Sequence, residues 1–549
     1  MDGSDQPCLI GIDCGTQSIR AIAFDSAGRK LAASARPTPI KRCDSGGEHD
    51  PDAIFTAVLV VLGEVAVALA GRPVAGIAVA SFGESCVLVD RAGKAAGPAI
   101  AWFDSRTKRF PKSTNGLLKP STSAIVSQRA GIGMEDMGQR SNSPRARSLA
   151  GIFAREVGRD RIFAITGQSI EWTMTLYKLA WMRAHWPDAI RRAQRVLMMA
   201  DWIAFRLCGE AATDSTLASR TQYFAIHERQ WSPELFKRAF GSTDVLPPLM
   251  ASGTALAPVD RDWLSETRLA GAPIVGVGGH DHVVGSLAVG VKAPGTLFDS
   301  IGTAEGLLLV TDRPIADPEV SRHGYVQGAI ATHRNLSFAY AGINSCGGAL
   351  EWCRRLIGSP AQEAIIAAAS RVPPGSRGVV FWPDLVDGPP PDPDPDSRGA
   401  FVGLSTAVDQ GTLYRAVLEG VVMRARLVVD GMVRLPGVLP PRAIRVIGGG
   451  SRNAPFLKIR ANVFGRPLTV VDEPEATALG AALLGGVAAG VYRDLDEALT
   501  RLDRREHVVE PDGEAAFYDA LRTRVFEQLQ PALTGVHRAL AGTRPDANI

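Results

Sequence analysis

The stretch Ile10-Gly-Ile-Asp-Cys-Gly-Thr-Gln-Ser-Ile-Arg-Ala-Ile-Ala-Phe-Asp25 reads as two runs of alternating apolar residues around a tight turn, the pattern of a β-hairpin. Asp13 stands at the entry of the turn, Gly15 lets the backbone approach a ligand closely, and Thr16 and Ser18 add hydroxyls. Such a turn can cradle phosphate on its N–H groups and hydroxyls, while the carboxylate of Asp13 can hold a hydrated Mg²⁺ beside it.

The pattern returns far down the chain, in Asp299-Ser-Ile-Gly-Thr-Ala-Glu-Gly-Leu-Leu-Leu-Val-Thr-Asp312. Gly302-Thr303 matches Gly15-Thr16, and Asp312 follows at the offset of Asp25. Two related hairpins predict a duplicated architecture, two similar domains facing one nucleotide. They differ at one position: Ser300 stands where Asp13 stands. That makes one metal-organising carboxylate and one neutral phosphate clamp.

Bulk properties bound the class. A chain of 549 residues exceeds one ordinary domain, and 46% hydrophobic content suits a globular protein with ample core. Sixty Lys plus Arg against 57 Asp plus Glu leaves only +3, so the chain has no polyanion-binding bias, and no nucleic-acid partner is expected. The start, Met1 to Cys8, lacks a basic and apolar leader. No uninterrupted apolar run long enough to span a bilayer is apparent, so no membrane association is expected. The seven cysteines lack a metal-type CxxC pair, which suits reduced thiols and a cytoplasmic protein. Cys346 and Cys353, on one expected helix, read as core.

Along the chain, strand and helix patterns alternate. Asp50 and Pro51 open an amphipathic helix over 53–69. The buried-strand pattern Val74 to Ala80 delivers Ser81-Phe-Gly-Glu84 at its C-terminal end, where open α/β sheets place ligands. A strand over 98–102 ends in Trp102-Phe-Asp-Ser-Arg106. Residues 107–150 carry eight Lys/Arg against two Asp/Glu and read as a solvated basic insertion; a docking segment for an acidic surface is the sharper alternative. Helices resume at Thr175 and continue to Cys208. The strand Pro273 to Gly279 runs into His280-Asp-His282, and Gly388 to Pro395 reads as a stiff surface loop. Gly448-Gly-Gly450 leads into a helix from Ala454, Glu475 opens a small-residue helix, and the C-terminal helical pattern is interrupted at Pro531.

These pieces, in this order, resemble the FGGY family of carbohydrate kinases over nearly the whole chain. The matching stretches are DCGTQSIRAIAFD at the start, WFDSR at 102–106, GGHDH at 278–282, SIGTAEG at 300–306 and SCGGALEW at 345–352. RGAFVGL at 398–404, YRAVLEG at 414–420, GGGSRN at 448–453 and EATALGAA at 475–482 follow. The resemblance implies an α/β fold of two duplicated actin-like (ribonuclease H-like) domains, with mixed sheets flanked by helices and ATP in the cleft. On that reading residues 1–289 bind the sugar and supply the base, and residues 290–549 bind the nucleotide.

The implied reaction transfers the γ-phosphoryl group of Mg-ATP to a hydroxyl of a small sugar or polyol. It asks for positioning, a base and phosphate donors. By resemblance Asp281 is the general base, although an Asp there also suits an N-cap. Asp13 organises Mg²⁺; Thr16, Ser18, Arg20, Gly302 and Thr303 hold phosphates; Gly347, Glu351, Gly450 and Asn453 lie near the adenosine. Glu84, Trp102, Asp104, Arg106, Asp281 and His282 face the acceptor, carboxylates toward hydroxyls and the indole toward C–H. Family members are often homodimers. Two departures stand out. Phe82-Gly-Glu-Ser85 replaces the Gln-Met-His-Gly type motif of xylulose kinases, and Asp387-Gly-Pro-Pro-Pro391 replaces a Glu-Arg-x-Pro stretch. A catalytically inactive nucleotide-binding scaffold on the same fold is the alternative reading; retention of both Asp13 and Asp281 argues against it.

Overall fold

The computed structural model describes residues 7–108, 148–331 and 335–543. Most of the basic insertion expected over 107–150 lies outside the described residues. The chain divides into two compact units: Met1–Ala288 with Gly328–Asn335 and Glu475–Asp503, and Val289–Gln327 with Leu336–Pro474 and Arg504–Ile549.

In the first unit, β1 (Cys8–Cys14), β2 (Ser18–Phe24), β3 (Lys30–Pro37), β4 (Val74–Ser81), β5 (Ala255–Pro258) and β6 (Ile274–His280) form one sheet, in the order β3-β2-β1-β4-β6-β5. The β1–β2 and β2–β3 pairs are antiparallel, β1–β4 and β4–β6 parallel, and β5–β6 antiparallel. In the second unit, β7 (Thr296–Ile301), β8 (Glu305–Thr311), β9 (Ser337–Ile343), β10 (Ala443–Ile447), β11 (Leu468–Val471) and β12 (Glu506–Val509) line up as β9-β8-β7-β10-β11-β12. The strand directions repeat those of the first sheet pair by pair, and a further strand, Val326–Ala329, adds at the β9 edge. Each unit is therefore an actin-like α/β domain with a mixed sheet, built around one of the two hairpins.

Helix α1 (Pro51–Ala68) starts where expected: Asp50 caps it by accepting the Asp52 and Ala53 amides, and Pro51 sits at the first position. Contrary to the sequence expectation, α1 does reach the length and hydropathy of a membrane span. Half of it is buried, with Ile54, Phe55, Val58, Val61, Leu62 and Val65 packed into the core, as in the core helix of a globular domain.

Helix α2 (Ala476–Ala488) falls in the first unit, not in the C-terminal domain that a boundary at 289/290 would give it. Its composition explains the placement. A Cβ on Gly11 of β1 would sit 1.7 Å from the Ala478 carbonyl oxygen, and one on Gly76 of β4 2.1 Å from that of Gly485. Only Gly and Ala let this helix lie against the sheet at backbone contact.

Three local expectations change. The region 175–208 is not continuously helical, because the strand Arg195–Met198 separates the helices Pro187–Arg192 and Met199–Cys208, and helices already begin at Leu149. The Pro-rich loop is not wholly at the surface. Gly388, Pro389 and Pro390 are buried, and the fully buried Arg424 guanidinium donates to the Pro389 carbonyl at 2.9 Å; the Pro390–Pro391 bond is cis. Finally, the helix Glu527–Gly542 runs through Pro531, preceded by a widened π turn at Arg522–Phe526. All seven cysteines are free.

Candidate active site

The first hairpin closes its turn with the Gly15 amide donating to the Ser18 carbonyl at 3.0 Å, and Asp13 pairs across the ladder with Arg20. The Arg20 guanidinium donates to the Ser18 hydroxyl (3.1 Å) and to Glu475 (3.3 Å), at the mouth of the small-residue helix. Asp281 opens the helix Asp281–Ala288 directly after β6. One of its carboxylate oxygens accepts the His282 amide at 2.6 Å. The capping alternative thus describes one of the two oxygens. The rings of His280 and His282 stack at 5.9 Å.

These acids act on each other. Burial pushes the Asp13 carboxyl up to about 7, the negative charges of Asp281 and Glu475 add to it, and Arg20 opposes. The first unit therefore gathers three carboxylates around one guanidinium, an excess of negative charge that calls for a cation. No group of three His, Cys, Asp or Glu able to hold a metal by itself occurs among the described residues. Mg²⁺ typically keeps several waters and takes one or two carboxylates plus substrate phosphates, so Asp13 fits that ion in the presence of a phosphorylated substrate.

The expected acceptor residues divide into two sets. Glu84 and Trp102 lie near the hairpin and the base. Trp102 is partly exposed and its indole N–H donates to the Thr16 hydroxyl at 3.0 Å, which joins the expected sugar wall to the expected phosphate loop. Glu84 adopts a left-handed backbone, φ 61°, a conformation that a non-glycine residue holds only under constraint. Its carbonyl accepts the Thr175 hydroxyl at 3.1 Å, and its carboxylate accepts Arg220 Nε at 2.7 Å. A Cβ on Gly83 would meet Arg220 and the His280 ring at 3.0 Å, so glycine there lets Glu84, Arg220 and His280 converge.

Asp104 and Arg106 form the other set, and they do not continue the strand alternation of the residues before them. The strand is only Ala99–Ile100; Asp104 lies on a turn and Arg106 on a 3-10 helix, Ser105–Lys108. The Asp104 side chain has no exposure, and it accepts Arg106 Nε (2.8 Å) and Nη2 (3.0 Å), the Gly47 amide (2.9 Å) and the Ser45 hydroxyl (2.9 Å). Burial works against the ionised form, but these donors outweigh it and hold the carboxyl near about 2. Arg106 is further held by Glu48 at 2.8 Å and stacks over Trp181 and Trp186. With these partners the pair braces the loop that carries Trp102 and has little capacity to bind sugar hydroxyls.

In the second unit the hairpin turn Gly302-Thr303-Ala304 is exposed. The Gly347 and Gly348 amides, at the start of the helix Gly347–Leu356, donate to the Gly302 and Thr303 carbonyls at 3.0 and 2.9 Å. They fasten the turn and are not offered to a nucleotide. A Cβ on Gly347 would lie 2.5 Å from the Gly302 carbonyl oxygen, and one on Gly450 2.2 Å from the Ile301 side chain. The glycines therefore bring the hairpin, this helix start and the exposed Gly448-Gly449 turn into one surface. Asn453 caps the helix Ala454–Phe464 through the Phe456 amide (3.2 Å). The exposed Glu351 is bound by Arg354 through both oxygens at 2.8 Å.

Sequence reasoning missed several residues. Arg220 and the fully buried Lys178, whose ammonium donates to the Trp102 carbonyl at 3.2 Å, support the acceptor side. Burial pushes Lys178 down to about 8. Asp214, Thr216 and Arg460 were missed as well. No single-sequence signal marks these residues, because their partners lie far away in the chain.

Comparison with known proteins gives the family. The N-terminal domain model of the FGGY family of carbohydrate kinases matches residues 8–137 and 139–288, and the C-terminal domain model matches 297–489. The chain belongs to the FGGY family of carbohydrate kinases. It is a phosphotransferase with an alcohol group as acceptor. This FGGY kinase is 31% identical to a glycerol kinase from Gloeobacter violaceus, covering 89% of this chain and 90% of that one. It is 26% identical to a xylulose kinase from Escherichia coli, covering 95% and 99%. Among solved structures, a xylulose kinase from Brucella ovis superposes with a TM-score of 0.81 at 23% identity over 96% of this chain and 100% of that one. A glycerol kinase from Plasmodium falciparum does so with 0.80 at 19% identity over 96% and 98%.

Proposed function

We propose that this kinase transfers the γ-phosphoryl group of Mg-ATP to a hydroxyl of a small ketose, deoxyketose or polyol, with Asp281 as general base. The observation that carries the reading is the half-buried Asp13 carboxylate beside the Gly15 turn, paired across the ladder with Arg20 and raised by burial and by the nearby charge of Asp281. Two acids this close are costly in a structural core and useful where a base and a metal-organising carboxylate serve one reaction.

Asp281 accepts the acceptor hydroxyl's proton as its oxygen attacks. Thr16, Ser18 and the Gly15 turn offer hydroxyls and amides to phosphate oxygens in the first unit; in the second, the Gly302-Thr303 turn and the Gly448–Gly450 turn offer backbone suited to a nucleotide. Asp13 would hold Mg²⁺, which when bound would supply positive charge to the phosphate oxygens. Glu84, oriented by Arg220, takes sugar hydroxyls, and the exposed Trp102 covers a C–H face. Relatives of similar sequence include glycerol kinases, xylulose kinases and L-fuculokinases, which spans the proposed acceptor class.

The test is ADP release with Mg-ATP across a panel of ketoses and polyols, beside Asp281→Asn. A narrow group of acceptors should turn over, and the variant should lose about 10²- to 10⁴-fold in kcat while still binding nucleotide. Nucleotide binding without phosphorylation of any acceptor would instead favour the inactive scaffold.

A further inference from the structure

Strand β6 does not end as a regular ladder. It pairs in parallel with β4 as Gly276↔Ala78, Gly279↔Ala80 and His280↔Ser81, so one extra residue is accommodated between Gly276 and Gly279. Such a bulge redirects the strand and leaves the following backbone to be held by something else. Here the holder is a side chain from a distant segment. The His280 amide donates to the Thr216 hydroxyl at 2.8 Å, and that hydroxyl donates to Asp214 Oδ1 at 2.8 Å. Asp214 Oδ1 also accepts the Leu217 amide at 3.0 Å, and Oδ2 accepts the Ser252 hydroxyl at 2.7 Å. Asp214 and Thr216 are essentially buried. A Cβ on Gly279 would lie 2.7 Å from the Thr216 hydroxyl and 3.1 Å from Asp214 Oδ2, so glycine is what allows the strand to reach them.

We infer that Thr216, anchored by Asp214 and Ser252, is a positioning residue that fixes the Gly279–His280 peptide, one residue before Asp281, and thereby aims the base. The inference rests on the reading of Asp281 given above. A hydroxyl is required, since it must accept from an amide and donate to a carboxylate at once. Valine has nearly the shape of threonine and can do neither. Because Asp281 follows the anchored amide by one residue, release of that amide lets the carboxylate wander, and a displacement of about 1 Å in a reacting group costs about a hundredfold in rate.

The experiment compares Thr216→Val, Thr216→Ser, Gly279→Ala and Asp281→Asn by steady-state kinetics on an accepted substrate, with ADP affinity and circular dichroism on each. Thr216→Val should lower kcat about tenfold to a hundredfold with the KM for ATP held within about twofold. Thr216→Ser, which keeps the hydroxyl, should restore most of the rate. Gly279→Ala, whose Cβ would press on Thr216 and also on Val284 of the Asp281 helix, should lower kcat as well, and it carries the test if Thr216→Val does not fold. Wild-type kcat in Thr216→Val or in a folded Gly279→Ala overturns the inference, as does a serine variant as slow as the valine one. If Asp281→Asn itself keeps turnover, it is the base assignment that fails; if Asp281→Asn is dead while Thr216→Val is fast, the anchor alone fails.

Discussion

Replacing Arg460 by methionine strands two carboxylates in the core of the second unit. Arg460 lies on the helix Ala454–Phe464, and its Nη1 reaches both Asp299 and Glu305, the latter at 2.7 Å, with all three side chains at 0% exposure. Asp299 and Glu305 flank the turn of the second hairpin, one on each strand. Burial pushes the Asp299 carboxyl well above the ordinary range, Arg460 opposes, and the charge of Glu305 adds to the rise. Deleting one partner of a buried ion pair costs about 3–5 kcal/mol, because the remaining charge is left without compensation. Against a usual domain stability of about 5–15 kcal/mol, that is a large share.

The sign with pH follows from linkage. A carboxyl whose folded pKa is raised binds its proton more tightly folded than unfolded, so its contribution is fully present below the unfolded value near about 4. It is lost as pH rises toward the folded value. Urea unfolding followed by tryptophan fluorescence should therefore find Arg460→Met destabilised by about 3–5 kcal/mol at pH 8 and by clearly less at pH 5. Asp299→Leu and Glu305→Met added to Arg460→Met should recover most of the loss, since an apolar replacement of the whole cluster is often neutral. A loss below about 1 kcal/mol at pH 8, in the range of an exposed pair, or an equal loss at both pH values, would refute the reasoning.

Two further predictions concern the first unit. At subsaturating Mg²⁺, kcat/KM should rise with pH through about 7 as Asp13 ionises; Glu475→Gln, which removes a neighbouring negative charge, should move that limb to lower pH, and an unmoved limb would break the assignment. Asp104, held down near about 2 by its donors, contributes stability that is present above the unfolded value near about 4 and lost as pH falls through the folded one. Asp104→Asn should therefore lower the melting temperature more at pH 7 than at pH 3, and a change in acceptor KM larger than the stability loss would show that the residue touches sugar after all.

The hairpins and helix starts were legible because their signals are local: a Gly-Thr turn between alternating apolar runs, Asp50-Pro51 at a helix start, the Gly448–Gly450 turn before the helix from Ala454. The failures share a cause. Trp102-Phe-Asp-Ser-Arg106 has strand alternation, yet Asp104 folds back on Arg106, Ser45 and Gly47, and partners 57–59 residues away decide its role. The loop Gly388–Pro395 reads as surface because its composition is stiff and polar, and Arg424, an otherwise ordinary helix residue, draws its carbonyls inward. The helix Ala476–Ala488 sits late in the chain and belongs to the first unit, because glycines on β1 and β4 leave room only for a backbone without side chains.

Comparing the two copies shows how one scaffold was divided between chemistries. Both hairpins close the turn through the amide of its first glycine, Gly15 to Ser18 across a four-residue turn and Gly302 to Ala304 across a three-residue one. The ladder pair behind the turn is Asp13↔Arg20 in one and Ser300↔Gly306 in the other. The first copy thus places charges at the phosphate side, while the second removes them and buries its acids underneath, where Arg460 ties the hairpin to the helix after the glycine turn. The same asymmetry appears at the next equivalent position. Asp281 opens the helix after β6, and Glu475 precedes the helix after β11; both bear on Asp13, but Glu475 is engaged by Arg20. Two acids thus stand at equivalent helix starts, and the guanidinium on Glu475 is the difference that favours the proposed role of Asp281 as the proton acceptor.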